Sequence, residues 1–73
     1  MAVQIVMNQT GDTRHTFDAH DHAAVDEAER RFMELTGVGF IAAVRTAPGQ
    51  QRLIRCFDPS AEETLFIPRL VGG

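Results

Sequence analysis

The sequence predicts an α+β fold in which one mixed sheet of about five strands grips a single helix. Three observations predict it. One segment alone carries sustained helical periodicity, from Ala23 to Leu35. Alternating, strand-like runs lie on both sides of it, two before and three after. Turn residues separate those runs closely enough to make hairpins, so the chain reads hairpin, helix, hairpin, strand.

Ala2 to Asn8 alternates, with Val3, Ile5 and Met7 on one face and Val6 interrupting the polar side. Asn8 to Asp12 is a turn in which Gly11 accepts any positive φ. Thr13 to Asp18 alternates again, His15 and Phe17 against Arg14 and Thr16, and closes the first hairpin. In the helix, Val25, Ala28, Phe32 and Leu35 share one face, and Asp26, Glu27, Arg30, Arg31 and Glu34 take the other. Asp26 with Arg30 and Glu27 with Arg31 are acid-before-base pairs one turn apart. Asp21 is the expected N-cap and Gly37 the expected C-cap.

Past Gly37-Val38-Gly39, the run Phe40 to Thr46 is β-branched, apolar and too short for a second helix. Ala47-Pro48-Gly49-Gln50 turns the chain, Arg52 to Phe57 is the next strand, and Asp58-Pro59-Ser60 turns it again. Glu63 to Pro68 is the last strand, expected centrally and parallel to the first. Pro68 lacks an N–H for a ladder, so pairing should stop there. Residues 1–68 form one domain, and residues 69–73 are expected to be a flexible tail.

The chain has 73 residues, enough for one modest core. With 44% hydrophobic residues and five Phe it is a folded domain rather than a disordered segment. A net charge of -3 and the lack of a basic stripe argue against nucleic acid as a partner. No run is apolar enough to span a bilayer and no leader is evident, which argues against a membrane. A single cysteine excludes an internal disulfide and fits a cytoplasmic protein.

The basic residues are all arginine: Arg14, Arg30, Arg31, Arg45, Arg52, Arg55 and Arg69. Lysine is the usual acceptor of acyl transfer, so a chain without it cannot acylate itself that way; a genome rich in Arg codons is the competing explanation. The chain ends Arg69-Leu70-Val71-Gly72-Gly73. Glycines pass a narrow channel because they have no Cβ, although glycines at an end also occur as simple frayed termini.

Other chemistry-bearing groups read as structural. His15, Asp18, His20, Asp21 and His22 are metal-ligand types without a recurring partner at zinc-site spacing, and the expectation is a surface turn and cap with no metal. Cys56 has no neighbouring His and is expected to be a buried thiol. Glu62 and Glu63 end a solvated turn. No paired acid and base lie in a pocket-forming pattern, so the chain is not expected to be an enzyme.

Over nearly its whole length the chain resembles the ubiquitin-like β-grasp superfamily. Arg69-Leu70-Val71-Gly72-Gly73 is similar to the end of ubiquitin, with Val71 for an arginine, and Gln4-Ile5 and Thr10 to Thr13 resemble its first hairpin. Pro48 to Ile54 also resembles a ubiquitin string but lies beyond an extra strand-like segment. Phe66 to Gly73 is similar to the ends of sulfur carriers. The compact ubiquitin-like proteins of bacterial operons that encode E1-like and E2-like enzymes give the closest overall likeness.

The resemblance implies a protein modifier whose Gly73 carboxylate is adenylated by an E1-like enzyme using ATP, with no cofactor bound to the chain itself. The acyl group then passes as a thioester through E1-like and E2-like cysteines to target proteins, from which a deconjugating peptidase would release it. Gly72 and Gly73 would thread the enzyme channel, and Arg69, Leu70 and Val71 would dock to the E1-like enzyme. Ile54 and Ile67 loosely match an apolar partner patch, and either alternatively belongs to the core, Ile67 before Ile54. A sulfur carrier ending in a thiocarboxylate, or a noncovalent adaptor, are the alternative functions.

Overall fold

The computed structural model describes residues 1–69. It contains β1 (Ala2–Asn8), β2 (Gly11–Phe17), α1 (His22–Gly37), β3 (Phe40–Ala47), β4 (Gln50–Ile54) and β5 (Glu63–Pro68). The strands form one sheet in the order β2-β1-β5-β3-β4. β5 lies in the middle, parallel to β1 and antiparallel to β3, while both hairpins are antiparallel. One helix across one face of such a sheet is a β-grasp-like arrangement, as the element order predicts.

The helix-facing core is aromatic. Phe32 of α1 meets Phe66 of β5 edge-on, with ring centroids 5.7 Å apart. Phe57, between β4 and β5, reaches Phe32 at 5.9 Å and Phe17 of β2 at 6.4 Å. Ala28 of α1 and Ala42 of β3 are buried in this core. Asp21 caps α1 through Oδ1, which accepts from the Ala23 and Ala24 amides.

Several local expectations are corrected by these contacts. Val3, Ile5 and Met7 do share one face, but it is the face away from the helix, because Ala2 packs with Phe17 and Ala28 and Gln4 bonds to α1. Gln4 is fully buried, donating from Nε2 to the Ala28 carbonyl (3.0 Å) and accepting at Oε1 from Arg31 Nη1 (2.7 Å). Arg31 thus turns towards the sheet instead of pairing with Glu27, and the ion pair found among the described residues is Arg45–Glu63.

The helix ends one residue later than expected, with Val38 as C-cap. Its N–H bonds back into the last turn, and Gly39 rather than Gly37 takes the positive φ (111°). β4 stops at Ile54, three residues short of Phe57, because Phe57 must leave the ladder to reach the aromatic core. That departure leaves Cys56 exposed instead of buried.

Candidate functional site

The site is the end of the molecule towards which β5 runs. Thr64, Leu65 and Phe66 are buried, so the strand is anchored through both sheet faces. Pro68 is its last residue, opposite Phe40 at the start of β3, and the exposed Arg69 follows. Leu70, Val71, Gly72 and Gly73, to which docking, threading and conjugation were assigned, lie outside the described residues.

Beside Arg69 is an open depression of about 480 Å³. It is lined by Thr36 at the end of α1, Phe40 and Ile41 of β3, Leu53 of β4, and the guanidinium-bearing Arg55 and Arg69. The Thr36 hydroxyl already donates to the Phe32 carbonyl (2.8 Å), so among the described side chains lining the depression the two arginines hold the free polar capacity.

Ile54 and Ile67 do not form one patch. Ile54 pairs with Ala42 and packs on the Phe32–Phe66 cluster, whereas Ile67 pairs with Ile41, the next residue along β3. Successive residues point to opposite faces, so these two isoleucines occupy opposite sides of the sheet. Ile54, and not Ile67 as expected, is therefore the one packed on the helix-facing core, because its ladder partner Ala42 lies on the helix side.

The face away from the helix has its own apolar row. Ile5 pairs with Leu65, Leu65 with Ala43 and Ala43 with Leu53. The first three are buried by cross-strand neighbours, and Leu53, on the edge strand, is exposed. Strand alternation alone could not reveal Ile41, Leu53 and Arg55 as site residues, because their proximity to Arg69 depends on β4 and β5 both pairing with β3.

The remaining ionisable groups do local work. The Asp58 carboxylate accepts from the Ser60 hydroxyl (2.6 Å) and amide (2.9 Å), which holds its pKa below the usual carboxylate value. Burial, and secondarily the Arg31 charge, lower the pKa of His15. Asp18 accepts from the His20 amide, and among the described residues no group of three or more His, Cys, Asp or Glu is placed to hold a metal ion. No helix among them is long and apolar enough to cross a membrane.

Comparison of the chain with protein-family models, curated proteins and solved structures gives no significant match. What defines its class is therefore the arrangement itself, a small α+β sheet gripping one helix in the β-grasp-like order.

Proposed function

We propose that this chain is a ubiquitin-like protein modifier, joined to target proteins through the main-chain carboxylate of Gly73 when that residue is the terminus of the mature chain. The observation that carries the reading is the Arg69-Leu70-Val71-Gly72-Gly73 sequence placed directly after the central strand of a β-grasp-like sheet. The absence of lysine supports it, since an activated carboxylate would then meet no lysine amine on its own chain.

The chemistry belongs to partner enzymes, and the chain is a substrate rather than a catalyst. In an E1-like enzyme a Gly73 carboxylate oxygen attacks the α-phosphorus of ATP and expels pyrophosphate, leaving an acyl adenylate. A cysteine thiolate of that enzyme displaces AMP to give a thioester, and an E2-like cysteine accepts the acyl group by thiol exchange. A target amine then attacks the carbonyl, expels the thiolate and forms an amide. Gly72 and Gly73 suit this passage because an absent Cβ lets the backbone pass close to enclosing walls. A reducing, cytoplasmic setting suits both the thioester steps and the exposed thiol of Cys56.

A sulfur carrier is the second reading, favoured by Pro68 at the strand end and the likeness of Phe66 to Gly73 to such proteins. In the native cell, immunoblots of the intact chain and of a variant lacking Gly72 and Gly73 are compared, alongside intact mass spectrometry. Tail-dependent conjugates on other proteins establish the modifier. Replacement of one carboxylate oxygen by sulfur, without conjugates, establishes the sulfur carrier and refutes the modifier. If neither appears, a noncovalent adaptor replaces both.

A further inference from the structure

The cationic side chains are all arginines, but they do not stand equally close to the end of β5. Arg45 is held by Glu63 at the start of that strand. Arg14 lies on β2, on the far side of β1. Arg30 and Arg31 belong to α1, and Arg31 is bonded to Gln4. Arg52 pairs with Val44, as does Thr64, so it is level with the first half of β5. Among the described residues, Arg55 is the arginine that shares a depression with Arg69.

The sheet register fixes how far position 55 is from the chain end. Ile54, just before Arg55, pairs with Ala42 on one side of β3, and Phe66 pairs with Ala42 on the other. The ends of β4 and β5 are therefore two strand spacings apart, about 10 Å. Residues 70–73 span at most about 14 Å when extended, so a Gly73 carbonyl can reach a long side chain at position 55. Gln50 is the contrasting position. It is exposed and opposite Ala47, and the length of β3, about 23 Å, separates it from the level of Pro68, opposite Phe40.

We propose that arginine at position 55 keeps the activated Gly73 acyl group from closing a ring on its own chain, and so directs it to an outside amine. Its role in a cell rests on the modifier reading, whereas the reach from Gly73 to position 55 stands on the sheet register alone.

A lysine at this position would be a nucleophile within reach. Its ε-amine would attack the carbonyl carbon of a Gly73 thioester, and the C–S bond would break. The thiol would leave with the amine's proton, and an amide would join residues 55 and 73. Amine and carbonyl carried by one sheet react in a unimolecular step, which outruns attack by a separate amine. Arginine keeps the positive charge but offers no free lone pair, because its guanidinium stays protonated. The Cys56 thiol, exposed next to Arg55, does less harm. Exchange onto it replaces one thioester by another and runs back, whereas the amide does not revert.

The test uses the chain 1–73 carrying a Gly73 thioester of 2-mercaptoethanesulfonate, with Cys56→Ser throughout to remove exchange onto the thiol. The parent, Arg55→Lys and Gln50→Lys are compared. Both positions are exposed, so the fold survives either change, and circular dichroism checks it. Intact mass spectrometry follows ring closure as a product lighter by one water than the hydrolysed chain. Arg55→Lys is expected to close at least about tenfold faster than Gln50→Lys, at a rate independent of protein concentration. The parent is expected to hydrolyse without closing. In the native cell, Arg55→Lys with Cys56 restored is expected to lose most of its conjugates to the ring form.

Equal rates for the two lysine variants, or a rate that rises with protein concentration, overturn the proposal. So does ring closure in the parent as fast as in Arg55→Lys. Cellular conjugates unchanged by Arg55→Lys overturn it too, while leaving the modifier reading intact. Fast closure of Arg55→Lys in vitro, with no conjugates from the parent chain in the cell, removes the modifier reading and the role of Arg55 with it.

Discussion

Gln4 is the residue whose replacement tests the helix-to-sheet contact most directly. It is fully buried in β1, and its amide joins the Ala28 carbonyl and the Arg31 guanidinium of α1. Gln4→Ala removes both hydrogen bonds, each worth about 1 kcal/mol net. It also removes the packing of a methylene, about 0.8 kcal/mol, and leaves a small void. The expected loss is about 3 kcal/mol, against a total stability of roughly 4–11 kcal/mol for a domain of this size. Gln4→Leu should behave differently. The Ala28 carbonyl still accepts from the helix amide four residues on, half-exposed Arg31 turns to water, and leucine fills the space. Its expected cost is within about 1 kcal/mol. Urea unfolding followed by circular dichroism measures both, and the alanine variant should also melt roughly 10–25 °C lower. A cost for Gln4→Ala below about 1 kcal/mol, or equal costs for the two variants, refutes the view that Gln4 works by bridging and filling this contact.

Two further outcomes follow from side chains around α1. His15, whose pKa is lowered by burial and then by Arg31, is favoured in its neutral form by the folded state. Its contribution is thus complete above the unfolded value of 6.5 and is lost as pH falls through the lower folded value. In Arg31→Gln the His15 titration midpoint, followed by NMR, should move upwards; an unchanged midpoint contradicts the Arg31 contribution. Asp21→Ala removes the acceptor of the Ala23 and Ala24 amides and should cost about 1 kcal/mol, read as a fall in melting temperature of about 4–8 °C. No change in melting temperature would show that the cap contributes nothing to stability.

How much was legible depended on how local each signal was. Asp21 announces its helix start because the cap needs only amides two and three residues on. The turn at Pro48-Gly49 is equally local, with proline setting one φ and Gly49 taking 75° at the next. The helical stripe of Ala28 and Phe32 likewise needs only its own periodicity to be read. By contrast, the burial of Gln4, the exposure of Cys56 and the opposite faces of Ile54 and Ile67 all hinge on distant partners. The candidate site was half legible: Arg69 and the residues after it stand out in the chain, whereas Ile41, Leu53 and Arg55 do not.

The sequence by itself determined the order of elements, the single helix and the central place of the last strand. Each follows from periodicity, turn chemistry or chain connectivity. Only the tertiary structure decided which side of each strand faces α1 and which side chains gather beside Arg69. Strand side chains repeat with a period of two, so either face fits the same local pattern, and register with a distant strand makes the choice. For β1 that choice buried a glutamine against the helix and turned Ile5 into the apolar row on the other face.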